Sequence, residues 1–157
     1  MTREEKQLLL KDLCARLPYG VKIELIWWEM GEGTYINTTL EPDHIEQLLN
    51  DEDGDTEIKP YLRPMSSMTE EEKKELLNHV LDGEGVEYFY IAHDGRIDGN
   101  QEAEQDLYNF NLHWLNFEPL TTSSYIDWLN AHHFDYRGLI EKGLAIEVTE
   151  NNNPYKS

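Results

Sequence analysis

Residues 130–138, NAHHFDYRG, hold two adjacent histidines, an Asp, a Tyr and an Arg within a short span. Such a set suits acid–base or anion chemistry. If the helix that begins near Ser124 runs through His133, successive side chains point about 100° apart. His132 and His133 then face different directions, and a regular helix cannot present both to one metal. His133 and Asp135 share a direction if the chain turns extended after the helix. In that arrangement Asp135 orients the imidazole as a general base and Arg137 holds an anion. A structural account also suffices. Histidines at a helix C-terminus meet its free carbonyls and its dipole. Phe134 and Tyr136 then pack inward, Arg137 pairs with an acid, and Gly138 permits a turn.

Other groupings are weaker. DEDGD (51–55) evokes a calcium loop, but the positions that would need Gly and a bidentate Glu are Thr56 and Leu62, so an acidic turn is expected. HDGRIDG (93–99) reads as a Gly-containing turn after a strand. Glu102, Asp106, Asn109 and His113 line one flank of a predicted helix, but with a single His they read as ordinary polar surface. The chain has no HExxH, GxSxG, Walker A or GxGxxG motif. The sequence therefore nominates no catalytic residue, no cofactor and no metal ligand, and its motifs weigh against an enzyme.

The elements around these residues form an α+β pattern. Thr2 and Glu5 match a capping box. Leu9, Leu10, Leu13, Cys14 and Leu17 then recur at helical spacing until PYG (18–20) stops the helix, which predicts a buried thiol at Cys14. VKIELIWW alternates as a strand, EMGEGT turns, and a second strand follows around Tyr35–Leu40, giving an N-terminal hairpin. PDHIEQLLN starts a short helix at Pro42. Pro60 and Pro64 predict that any strand near Ile58–Leu62 is short or at an edge. Thr69 and Glu72 repeat the capping box ahead of Leu76, Leu77, Val80 and Leu81. A strand over 85–95, helices over 102–117 and Ser124–His133, and a last strand LAIEV (144–148) complete the reading. The 102–117 helix is apolar on two sides: Ala103, Leu107, Phe110, Trp114 and Phe117 on one, Tyr108, Leu112 and Leu115 on the other. The expectation is one domain over 1–150, a small antiparallel or mixed sheet packed with about five helices, and a loose tail over 151–157.

Charge bounds the partners. Among 157 residues, 32 acids against 13 bases give a net charge of −19. That field repels nucleic-acid backbones and anionic membranes, and it suits solubility, a basic partner or mimicry of a polyanion. A single cysteine rules out an internal disulfide. With no signal-like N-terminus and no membrane-length apolar run, the expected compartment is the cytoplasm.

Three stretches carry a resemblance: KDLCARLPYGVK (11–22), IKPYLRPMSSMTEEE (58–72) and DWLNAHHFDYRGLIEKGLA (127–145). Together they resemble a group of small proteins that recur in gut anaerobes, their phages and their mobile elements. The resemblance implies a setting, a phage- or element-borne accessory protein, and transfers no catalytic residue. The functional expectation is a non-enzymatic protein that binds a basic protein partner through Trp27, Trp28 and Tyr108. Two alternatives stand beside it: a small enzyme or ligand-binding domain using His133, Asp135 and Arg137, joined by HDGR (93–96) if the fold brings them together and with His132 as a weaker ligand candidate, and a structural homo-oligomer.

Overall fold

The computed structural model describes residues 1–81, 89–99 and 123–156. The chain separates into two compact units, Met1–Pro64 with Asn130–Ser157, and Met65–Leu129.

The first unit opens with helix α1 (Arg3–Arg16), whose Thr2 Oγ1 accepts from the Glu5 amide while Glu5 accepts from Thr2 N. A short 3-10 turn follows and ends at Gly20, at φ +67°. Strands β1 (Lys22–Glu29) and β2 (Glu32–Thr39) pair antiparallel over eight consecutive positions without a bulge. Their connection is only Met30 and Gly31, both at positive φ (53° and 81°), the backbone a tight two-residue hairpin loop requires. Helix α2 (Pro42–Asn50) begins at its proline as expected, and strand β3 (Thr56–Pro64) returns antiparallel to β1.

Two short strands complete the sheet. β6 (Phe134–Asp135) and β7 (Ile146–Glu147) both run parallel to β3. The five-stranded sheet is thus mixed, in the order β2-β1-β3-β6 with β7 also on β3. Leu9 and Leu13 of α1, Ile45 and Leu48 of α2, Ile23 and Leu25 of β1, and Ile58 and Leu62 of β3 form one core with Leu139 and Leu144.

β3 overturns the expectation that prolines confine this segment to a short or edge strand. It is nine residues long and central. The Trp28 amide donates to Asp55 O, so in the alternating antiparallel ladder the pair Ile23–Pro60 falls at a position that exchanges no hydrogen bonds. Pro60 therefore lacks an amide that β1 does not ask for.

In the second unit, α3 (Glu70–Leu81) buries Leu76, Leu77 and Leu81. Thr69 and Glu72 form the expected reciprocal cap. The strand read over 85–95 is described only as β4 (Phe89–Ile91), which pairs with β5 (Ile97–Gly99). HDGR is the turn between them: Asp94 accepts from the Arg96 amide, and Gly95 lies at φ +85°, where a side chain would collide with Met65. The buried Tyr125 of α4 (Ser123–Ala131) donates to Gly95 O at 2.7 Å, and burial, aided by Asp94, pushes its hydroxyl up to about 12. Four α-helices stand among the described residues rather than about five; the predicted 102–117 helix lies outside them. No described helix is long and apolar enough to cross a membrane.

Candidate functional site

The segment 130–138 is built as a joint. α4 stops at Ala131, short of the expected His133. His133 takes the left-handed conformation at φ +65°, its amide donates to Asn130 O, and its carbonyl accepts from Arg63 N at 2.8 Å. The chain thus leaves the helix and enters β6 within two residues. Gly138, at φ +74°, makes the next turn.

The polar side chains of this joint engage separate partners. Both oxygens of Asp135 accept backbone amides, from Leu139 and Ile140, each at 2.9 Å. Arg137 donates to Asp12 Oδ1 at 2.9 Å. Arg16, fully buried, donates through Nε to Asp12 Oδ2 at 2.7 Å and through Nη2 to Phe134 O at 2.7 Å. Tyr136 donates to Asn130, and its ring lies beneath both Arg16 and Arg137. Asp12 thereby joins two guanidiniums, and one of these also ties α1 to the backbone of β6. The proposed His133–Asp135–Arg137 arrangement is not assembled, because the carboxylate and the guanidinium each point to their own partner.

His133 has a different role. Its ring stacks on Tyr155 with centroids 3.9 Å apart, and Nδ1 has no hydrogen-bond partner among the described residues. Burial, reinforced by the Arg16 charge and by His132, Arg63 and Lys22, holds its pKa down at about 4, so the ring is neutral at pH 7. The Tyr155 hydroxyl accepts from Lys22 N and donates to Tyr61 O. Those two groups would form the next rung of the β1–β3 ladder, and the hydroxyl bridges the gap. The segment expected to be a loose tail supplies this anchor.

Cys14, expected buried, is exposed. The buried side of α1 comprises Leu9, Asp12, Leu13 and Arg16, which turns Cys14 outward. The acidic loop 51–55 is closed by Asp51, which accepts from the amides of Asp55 and Thr56. Among the described residues no three His, Cys, Asp or Glu side chains gather as a metal site. A cleft of about 520 Å³ lies between Lys6, Leu48, Asp51, Ile58, Lys59 and Leu144, and no sequence-nominated residue lines it.

The β1–β2 hairpin is the opposite case. Trp27 and Trp28 are 38% and 42% exposed, Tyr35 60%, and Met30 fully exposed. Trp28 meets Tyr35 edge-to-face at 6.5 Å. Tyr108, the third aromatic nominated from sequence, lies outside the described residues. From Ile23 to Ile58 the chain carries eleven acids and no Lys or Arg, Glu29 and Glu32 flanking the turn itself, while Lys22 and Lys59 lie at the far end of the hairpin, opposite Thr39 and Glu24. Sequence reasoning singled out the tryptophans but missed Met30, Tyr35 and Ile36. The signal was available: a short turn forces the residues beside it into solvent.

No protein-family model, curated protein or solved structure matches this chain.

Proposed function

We propose that this is a non-enzymatic interaction protein that binds a basic protein through the tip of its β1–β2 hairpin. The observation that carries the reading is the exposed apolar group around the tip, with Trp28 and Tyr35 in contact on one face, Trp27 on the other and Met30 at the apex, on a chain of charge −19. The few residues that dominate binding energy at interfaces are enriched in Trp and Tyr, and a negative surround steers a positive partner. The backbone at Met30 adds support. A non-glycine residue at positive φ costs about 1 kcal/mol, and here it holds a wholly exposed apolar side chain at the apex. A phage- or element-borne setting, with a nucleic-acid-binding host protein blocked by mimicry of its polyanion, is the specific form we propose.

Photo-crosslinking from position 35 in host cells tests this. The expected capture is a basic protein whose recovery falls with salt and is lost in Trp28→Ala. Capture of neutral or acidic proteins only, or capture indifferent to Trp28, overturns the reading.

A further inference from the structure

We infer that the outer edge of β2 adds a strand from the partner, and that this strand is an extended segment rich in Lys or Arg. The inference rests on the functional reading above and specifies how that hairpin binds.

The ladder fixes which backbone groups are available. Leu40 N donates to Val21 O, which makes Val21–Leu40 a hydrogen-bonded pair. Antiparallel pairs alternate, so Thr38, Ile36, Thr34 and Glu32 direct their amides and carbonyls at β1. Gly33, Tyr35, Asn37 and Thr39 direct theirs outward. Among the described residues no strand flanks β2 on that side, and no hydrogen bond reaches those four backbone amides.

Natural edges are blunted by lysines, prolines, bulges or inward charges, because an open ladder recruits other chains. β2 has none of these: its eight residues pair without a bulge, and its one charge is Glu32 beside the turn. What guards it is the field of the molecule. Against the eleven acids between Ile23 and Ile58, the one base bonded to β2 among the described residues is Lys22, at its Thr39 end, so the edge toward the turn repels a second copy and attracts a cationic strand. The faces specify the rest. Tyr35 lies on the side of Ile26 and Trp28, so cationic side chains of an added strand would reach the Tyr35 and Trp28 rings. Thr34, Ile36 and Thr38 form the other side, which suits β-branched neighbours.

The probe is a blocked octapeptide alternating Lys and Val, added to the full-length protein. Binding is followed by tryptophan fluorescence and by amide exchange in NMR. The expected result is slowed exchange at Gly33, Tyr35, Asn37 and Thr39, with the alternate amides unchanged. Asn37→Pro, which removes one outward amide, should weaken binding about tenfold, while Asn37→Ala stays within about threefold. Should the proline variant misfold, methylating the peptide's own β2-facing amides must give the same loss on the wild-type protein. Binding that survives methylation but falls in Trp28→Ala would overturn strand addition and leave the basic-partner reading standing. So would absence of peptide binding alongside crosslinked capture of a basic protein. A dimer in sizing chromatography that Asn37→Pro converts to monomer would make the occupant a second copy and overturn the cationic assignment.

Discussion

The joint at 130–138 and the tip of the β1–β2 hairpin divide the chain's most reactive-looking residues from its most accessible ones. At the joint, carboxylates and guanidiniums are buried or, for Arg137, half-buried, and all are committed: Asp12 serves two arginines, and Asp135 caps two amides. At the tip, large apolar side chains and backbone groups face solvent among acids. On the functional reading proposed above, residue type alone points to the joint and accessibility to the tip. A charged group whose hydrogen-bonding capacity is filled by its own chain holds the fold, and exposed aromatic surface is what remains for a partner.

The sharpest way to break this contrast is at Asp12. Asp12→Ala leaves Arg16 charged and buried with one carbonyl partner, and should cost about 3–5 kcal/mol in urea unfolding. Replacing the pair together, Asp12→Leu with Arg16→Met, should cost clearly less, since no lone charge stays inside. A loss no larger than about 0.5 kcal/mol for Asp12→Ala would show that water reaches this network.

Tyr155→Phe comes next. It keeps the ring on His133 but leaves Lys22 N and Tyr61 O unbridged, so a loss of about 1–3 kcal/mol is expected. The midpoint should move while the slope of the urea transition does not.

The pH response tests the neutral ring of His133. Its folded pKa, about 4, lies below that of an unfolded histidine, about 6.5. The unfolded chain therefore binds the extra proton first, and stability falls as pH drops from about 6.5 toward 4 and then levels off. Allowing for water near the partly open ring, the fall is on the order of 1 kcal/mol. His133→Asn, which tolerates the left-handed backbone, should remove that part of the profile.

The hairpin should respond in the opposite sense. Met30→Asn relieves the turn and should raise stability by about 0.5–1 kcal/mol while weakening partner capture. Trp28→Ala should shift stability by roughly 0.5 kcal/mol or less. A large loss in either variant would place the tip in the core economy rather than at an interface.

Much of the local architecture was legible in the chain. The capping boxes at Thr2 and Thr69, the start at Pro42 and the β1 alternation are rules of neighbouring residues, and the structure follows them. What escaped depends on distant partners. An Asp and an Arg four apart on a helix ordinarily mark its wet side, yet Asp12 and Arg16 are buried because Phe134 and Arg137 arrive from the far end of the chain. The same rotation turned Cys14 outward. Pro60 could be read as a breaker only without knowing which rungs β1 would use. His133 escaped because a side chain suggests chemistry, whereas its backbone supplies the bend. For the hairpin, sequence found the tryptophans but not the open edge, since strand order is a property of the whole sheet.

The hydroxyl of Tyr155, set into the β1–β3 ladder, also gives the molecule a birth order. β1, β2 and β3 are synthesised long before it. At about 5–20 residues per second, the roughly 90 residues from Pro64 to Tyr155 take on the order of 5–20 s to make. Throughout that interval the nascent sheet has two open margins, β2 on one side and the unfilled flank of β3 on the other. The second closes when β6, β7 and Tyr155 arrive; among the described residues no strand closes the first.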